Sequence, residues 1–345
     1  MASPHHPVRE AWLALASEEV LDPGQPILDA HHHLWDRPEG RYRAEELTAD
    51  LATGHDVRAS VFVQCRTGYR TGGPEALRPV GEVETVRRWA RDIPGHVMVI
   101  VGQADLRLGA EVAPVLDALA EAGGGTLRGI RNTTAFHPDP AVRSNPAPPP
   151  DGLLRDAAFA EGARAVGRAG LVLDIWAYQT QLDEVADLAH AAPDTVLVLD
   201  HCGGPLGVGP HRRDDAESFG AWRAGLARVA ACDNVRVKIG GFGLAVMGHR
   251  HADLPRPPDS ATLARDWAPW VETCLELFGP ERAMFESNFP VDKGQFGYVA
   301  LWNAFKRLAR PHTRSERDDL FWRSAARTYG IDPSIFSQHH GRSHR

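Results

Sequence analysis

Eight short apolar runs alternate with longer amphipathic stretches along this chain of 345 residues, and this alternation limits the possible folds more than any other feature. Several runs are continuously hydrophobic, as VLVLD at 196–200 is, which is typical of strands buried on both faces. Strands that alternate with helices form parallel sheets. The predicted strands are 27–35, 59–65, 96–105, 127–133, 171–178, 195–203, 235–243 and 283–290.

Eight strand-helix units favour a closed (β/α)8 TIM barrel, which needs about 250 residues and tolerates insertions. The open doubly wound alternative lacks a GxGxxG loop after the first strand. We expect an N-terminal extension at 1–26 with a short covering helix at 10–20, one α/β barrel domain at 27–336, and a disordered tail at 337–345. Three long segments follow the ends of predicted strands, where barrels place catalytic loops, and are candidate lids: 138–150, 203–215 and 244–260.

The composition excludes several classes of protein. With 43% hydrophobic and 24% charged residues the chain can bury a large core, and a net charge of −7 argues against a nucleic-acid partner. The sequence shows neither a signal peptide nor an apolar run of about 20 residues, so we expect no association with a membrane. The four cysteines are far apart and form no CxxC pair, so the sequence indicates neither a disulfide framework nor a structural zinc site. We therefore expect a protein of the reducing cytoplasm. The terminal histidines are expected to lie in disordered tails without a role: His5, His6, His339, His340 and His344.

The strongest local motif is DAHHHLW at 29–35. Strand residues two apart point the same way, which places His31 and His33 on one face and turns His32 to the other. Two neutral imidazoles in this arrangement are suitable adjacent ligands for a zinc-type ion. The alternative is a pair of hydrogen-bonded histidines at a strand end.

Five motifs together resemble one known family. They are ILDAHHHLWD at 27–36, LRGIR at 127–131, LDHCGGP at 199–205, VKIGGFG at 237–243 and MFESNFPVDK at 284–293. In order and position they are similar to those of TIM-barrel amidohydrolases, a group that includes sugar-acid lactonases, 2-pyrone-4,6-dicarboxylate hydrolase and 4-sulfomuconolactone hydrolase. The resemblance covers nearly the whole chain.

The resemblance implies a metal held by His31, His33 and His201, with zinc favoured and a metal-independent reaction as the alternative. The family usually has an aspartate where this chain has Asn288, and an amide cannot take a proton. Glu286, two residues earlier on the same strand face, can supply the missing catalytic carboxylate. It can equally form a buried ion pair with Lys238 on the seventh strand.

Polar and aromatic residues at other strand ends are candidates for substrate binding. Arginines there can clamp a carboxylate through two parallel hydrogen bonds, and Arg131 is favoured over Arg66. Each candidate has a structural alternative, an ion pair that fixes a loop or a packed wall residue. The predicted substrate-binding residues are Gln64, Arg66, Arg131, Asp174, Trp176 and Lys293.

The resemblance predicts hydrolysis of a lactone, derived from a sugar acid or a ring-cleavage dicarboxylate, with an anionic or sugar-like small molecule as partner and a possible homodimer. Two alternatives stay open. Related barrels imply a decarboxylase or hydratase of a carboxylic acid, and the loss of the aspartate allows an inactive binding barrel. Retention of all three histidines argues against the latter.

Overall fold

The computed structural model describes residues 4–38, 40–213 and 215–337. Eight parallel strands lie side by side in chain order, which confirms the predicted (β/α)8 TIM barrel. The barrel strands are Pro26–His32, Asp56–Val63, Val97–Gly102, Leu127–Thr133, Val172–Trp176, Leu197–Leu199, Val235–Ile239 and Ala283–Phe285. A small antiparallel hairpin, Trp35–Arg37 with Gly40–Tyr42, follows the first of them.

Helices follow the strands and surround the barrel. The α-helices are Glu10–Leu13, Ala44–Leu51, Val80–Ala90, Ala113–Gly123, Ala157–Arg168, Leu182–Ala191, Ala216–Ala230, Ser260–Phe278, Tyr298–Leu308, Arg314–Asp318, Ser324–Tyr329 and Ser334–Ser337. Among the described residues, none of these helices is both long enough and apolar enough to cross a bilayer.

The alternation of side chains along each strand divides the apolar residues into two cores. On the third strand, Val99 and Val101 belong to the core inside the barrel, whereas Ile100 belongs to the larger core between strands and helices. Tyr329 and Phe336 from the C-terminal helices join the inner core. Polar residues, among them His31 and His201, lie above this inner core at the carboxyl ends of the strands.

The barrel closes between its first and eighth strands, where the predicted site lies. Backbone Asn288 N donates to His31 O over 2.8 Å, and His33 N donates to Phe289 O over 2.7 Å. The first strand is irregular in the same place, because its register against the second strand shifts between Asp29 and His32. Such an irregularity re-aims side chains at a barrel rim.

Several predicted elements, among them two strands and the N-terminal helix, are shorter than expected. The sixth strand ends at Leu199 and the eighth at Phe285, because the following residues turn away with left-handed backbone at His201 and Asn288, φ 53° and 51°. The N-terminal helix spans only Glu10–Leu13 instead of 10–20. Trp12 is buried there, but Leu15 is 54% exposed, so the rest of the segment has no apolar face to bury.

Candidate active site

A cavity of about 560 Å³ opens among the carboxyl ends of the barrel strands. Residues from most of the regions that the sequence singled out line it, but none comes from the motif VKIGGFG at 237–243 or from the described part of the segment 203–215 beyond the strand end at His201. The lining residues are His5, His33, Trp35, Arg37, Gln64, Cys65, Arg66, Arg131, Thr133, Ser144, Asn145, Pro146, Ala147, Trp176, His201, Leu244, Asn288 and Val291. The loops 138–150 and 244–260 therefore contribute walls, as predicted.

The two histidines of the first strand face each other through their Nε2 atoms, which are 3.3 Å apart. Nδ1 of His33 donates to the carbonyl of Val63 over 2.7 Å, which leaves its Nε2 without hydrogen. Arg131 Nη1 lies 3.5 Å from His31 Nε2, and a guanidinium only donates, so this nitrogen is also an acceptor. Burial, followed by the charges of Lys238 and Arg131 respectively, lowers the pKa of both rings, so both are neutral.

Glu286 lies behind the histidines and joins two of them. Its Oε1 accepts from His201 Nδ1 over 2.6 Å, and its Oε2 lies 3.1 Å from His31 Nδ1. Burial opposes ionisation, but the adjacent imidazoles prevail and lower the pKa of Glu286 to about 2. The side chain is fully buried and is not among the cavity lining residues. The carboxylate therefore fixes the orientation of both rings.

The residues present fit a divalent metal ion. Two nitrogens bound to one tetrahedral zinc at about 2.0–2.1 Å are about 3.4 Å apart, and the paired Nε2 atoms of His31 and His33 are 3.3 Å apart. Potential ligand atoms of His31, His201 and Glu286 also lie within 4.8 Å of one another. Glu286 bonds to Nδ1 of His201 and faces Nδ1 of His31, so the Nε2 atoms of these rings remain available as metal ligands.

A buried network of charges lies beneath the histidines. Lys238 Nζ contacts Asp174 Oδ2 at 2.5 Å, Asp200 Oδ1 at 3.1 Å and His31 Nδ1 at 3.2 Å. Tyr329 OH donates to both oxygens of Asp174, over 3.0 and 3.1 Å. The two carboxylates overcome the effect of burial and raise the pKa of Lys238. The lysine is therefore paired with Asp174 and Asp200, and Glu286 is held by imidazoles, so the alternative in which Glu286 pairs with Lys238 is not the one observed.

Asn288 lies on the cavity wall in a fixed orientation. Its Nδ2 donates to Asp292 Oδ1 over 2.8 Å, and the other oxygen of Asp292 accepts from the backbone N–H of Gly243 over 2.8 Å. The amide oxygen of Asn288 is buried and has no hydrogen-bond partner in the described part of the chain. Burial raises the pKa of Asp292 to about 7. The pair therefore presents an unused acceptor, Asn288 Oδ1, at the position where the resemblance leads one to expect a carboxylate.

The structure brings most of the predicted substrate residues to the cavity. Gln64, Arg66, Arg131 and Trp176 all line it. Arg131 is held by Asp200 and by the carbonyl of Gln64, at 3.4 and 2.5 Å, so its position is fixed. Arg66 has left-handed backbone, φ 67°, at the end of the second strand, and its side chain is exposed.

Two predicted substrate residues do not reach the cavity, which corrects their placement. Asp174 is fully buried and bonded to Lys238 and Tyr329 below the histidines. Lys293 Nζ lies 3.1 Å from both oxygens of Asp50, at the base of the N-terminal segment. Both groups are already neutralised by a buried partner, and a substrate would have to displace it.

Arg37 and His5 are two of the wall residues that sequence reasoning missed. Arg37 lies in the hairpin after the first strand, stacked on Trp35 with 4.3 Å from its guanidinium carbon to the ring centre. His5, which we assigned to a disordered end, reaches the cavity across the barrel mouth. Burial, followed by the charge of Arg37, lowers the pKa of His5 to about 4. Only the chain's path over the mouth brings His5 there. The predicted tail histidines 339, 340 and 344 lie outside the described residues.

Comparison with known proteins shows the family and the fold of the chain. The model of the family described as amidohydrolase matches residues 28–331. An uncharacterized protein, y4mH, of Sinorhizobium fredii is 31% identical over 327 residues, which cover 88% of this chain and 98% of that protein. An L-fucono-1,5-lactonase of Burkholderia multivorans is 28% identical over 323 residues, with 88% and 96% covered.

Solved structures share the fold. A crystal structure of an amidohydrolase from Burkholderia multivorans with bound zinc has a TM-score of 0.70 at 24% identity, and covers 89% of this chain and 99% of that one. The family match spans nearly all of the barrel, including His31, His33, His201 and Glu286. This chain therefore belongs to the amidohydrolase family of enzymes.

Proposed function

We propose that this enzyme is a lactonase, which hydrolyses the cyclic ester of a sugar acid or of a related anionic acid. The observation that carries the proposal is the pair of Nε2 acceptors of His31 and His33 beside a cavity lined by three arginines. The 28% identical relative named as a lactonase supports the same reaction class. Arginine guanidinium groups are suited to the carboxylate or hydroxyl oxygens of such a substrate.

His31 and His33 are the residues that would hold a divalent ion, and we propose zinc. When bound, the ion would supply Lewis acidity toward a carbonyl oxygen, an effect of several kcal/mol. The Nε2 atoms of the two imidazoles are the protein ligands, and other donors complete such sites in zinc enzymes. Glu286 and the carbonyl of Val63 keep the two rings in the required tautomer.

His201 is the proposed proton acceptor. Its Nδ1 is bonded to Glu286 at 2.6 Å, and the ring lies on the cavity wall against Trp176, 4.7 Å between ring centres. A histidine whose rear nitrogen donates to a carboxylate is a general base at its other nitrogen. The proton leaves the attacking water for His201, the hydroxyl oxygen joins the lactone carbonyl carbon, and the ring C–O bond then breaks with return of the proton to the alkoxide.

Asn288 and Asp292 are proposed to position the attacking water. Asn288 Oδ1 is an acceptor to which no described residue donates, and Asp292 prevents the amide from turning its NH₂ group toward the cavity. An acceptor there can hold the second hydrogen of a water while His201 takes the first. The amide thus replaces the family carboxylate in orienting the water, whereas the proton goes to the imidazole.

A direct assay tests the proposal. Purified protein with added zinc is offered 1,4- and 1,5-lactones of sugar acids and a pyrone dicarboxylate, with ring opening followed by acid release and carbon dioxide measured in parallel. We expect kcat/KM of at least about 10⁴ M⁻¹s⁻¹ for one lactone, and a loss of about 10³-fold or more in His201→Ala. Carbon dioxide release without ring opening would show that the enzyme is a decarboxylase and would contradict the proposed lactonase reaction.

Exchanging the side chains of Asn288 and Asp292 tests the hydrogen bond between them. Asn288→Asp places a carboxylate against Asp292, where the two atoms now 2.8 Å apart would both be acceptors. We expect this variant to lose about 1–3 kcal/mol of stability and about tenfold in kcat. The double variant Asn288→Asp with Asp292→Asn restores a donor and acceptor pair. It should regain the stability in thermal unfolding, and failure to do so would contradict the assigned bond.

His5 should contribute to substrate affinity. His5→Ala removes one polar wall group, and we expect KM to rise about fivefold with little change in kcat, equivalent to about 1 kcal/mol. His6→Ala is the matched control, because His6 is the adjacent residue and is not among the cavity lining residues. Equal KM values for the two variants would remove His5 from the site.

A further inference from the structure

A second group of potential metal ligands lies outside the cavity, in the loop after the seventh strand and on the helix that follows. It consists of His249, His251 and Asp266, which we call the distal cluster. One potential ligand atom from each residue lies within 4.8 Å of the others. His251 Nε2 is 3.0 Å from Asp266 Oδ2, and the two imidazole rings are 5.2 Å apart.

Ordinary packing explains only part of the distal cluster. The contact between His251 and Asp266 is a common ion pair or hydrogen bond. His249, however, is 3% exposed, and its Nδ1 has no hydrogen-bond partner among the residues that the structure describes. Nδ1 of His251 is also buried, and within residues 4–38, 40–213 and 215–337 it has no partner either. A buried polar nitrogen left unpaired is unfavourable, so a ligand that bonds to both nitrogens would be stabilised here.

The surroundings hold these side chains in place. The ring of His249 packs against Phe242 and Trp270, with 6.1 and 5.9 Å between ring centres. Arg213 donates to the backbone carbonyl of Asp266 over 3.2 Å, and Arg265 Nε lies 3.7 Å from Asp266 Oδ1. The two arginines therefore contact the backbone carbonyl and Oδ1 of Asp266, and its Oδ2 faces His251.

We propose that the distal cluster is a second metal site, for a divalent transition-metal ion such as zinc. Two imidazoles and one carboxylate are a donor set that such ions prefer. The ion joins residues 249–251 to helix Ser260–Phe278. The same loop receives the N-terminal segment, because Trp12 Nε1 donates to Leu254 O over 2.9 Å. The site is structural, since its residues do not line the cavity.

Cobalt(II) is the probe for the test, because it reports binding by its visible absorption. The background protein is the full chain with His339, His340 and His344 changed to serine, so that the tail binds no metal. The main variant is His249→Gln with His251→Gln. Asp266→Asn is the milder variant, and it is measured in the same way should the double variant fail to fold. His312→Gln is the matched histidine control, since its ion-pair contact is with Glu316.

The number of cobalt ions bound is compared between variants after equilibrium dialysis. We expect the double variant to bind one ion fewer per chain than the background protein, whatever the barrel histidines bind, and His312→Gln to match the background. Cobalt at about 100 times its Kd should raise the unfolding midpoint by about 4 °C through this site, and this increment should vanish in both cluster variants. Equal stoichiometry and an equal rise in midpoint in all proteins would overturn the proposal.

Discussion

Lys238→Met is expected to destabilise the protein by about 3–5 kcal/mol, because it leaves buried Asp174 without a cation and buried Asp200 with Arg131 alone. Lys238 is fully buried and contacts Asp174 at 2.5 Å and Asp200 at 3.1 Å. Methionine fills a similar volume, so the loss of packing is small. Chemical unfolding in urea measures the change, provided that the slope of the transition is the same in both proteins.

A second buried lysine provides the control for this experiment. Lys306 is 6% exposed, and its Nζ donates to the carbonyls of Leu21 and Asp22 and to His55, all of them neutral acceptors. Lys306→Met should cost about 1–3 kcal/mol, the effect of unpaired polar groups alone. Equal losses in the two variants would show that Asp174 and Asp200 do not depend on Lys238 for their charge.

The network around Lys238 also shows where sequence reasoning stops. The strand assignment places Lys238 and Glu286 inside the barrel, because alternate residues of a strand face the same side, whereas it places Asp174 among the substrate-binding residues at a strand end. It gave no means of pairing them, since an inward side chain can reach several strands. We considered Glu286 as the partner of Lys238, whereas Asp174 and Asp200 take that place. Asp200 was not singled out, although it directly precedes His201.

The paired histidines were predictable because their chemistry depends on local spacing. His31 and His33 are two residues apart on one strand, and the structure brings their Nε2 atoms together. His5 is different, because it reaches the cavity only through the path of the N-terminal segment over the barrel mouth. Lys293 shows the opposite error: it lies in a motif segment, but Asp50, far away in sequence, holds its ammonium group. Long-range contacts of this kind leave no pattern in the sequence.

Glu286→Gln is expected to lower kcat/KM by about 10²- to 10³-fold and to leave the protein folded, because it disturbs the tautomers of two histidines at once. The carboxylate faces His201 Nδ1 at 2.6 Å and His31 Nδ1 at 3.1 Å with one oxygen each. Glutamine has one acceptor oxygen, and its NH₂ group would face the other ring. That ring must then carry its hydrogen on Nε2, where it can neither accept a proton nor bind a metal.

Glu82→Gln is the matched control for this substitution. Glu82 is also fully buried, but one of its oxygens, Oε1, accepts from both Cys65 N and Thr67 N, over 2.9 and 2.8 Å. Glutamine retains that single acceptor, so activity should change by less than about fivefold. Imidazole ¹⁵N NMR spectra provide the second readout, in which Glu286→Gln should move hydrogen from Nδ1 to Nε2 on His31 or His201 and Glu82→Gln should not. A loss of activity in Glu286→Gln with unchanged tautomers would mean that the carboxylate takes part in proton transfer itself, because its effect could then no longer be assigned to the orientation of the rings.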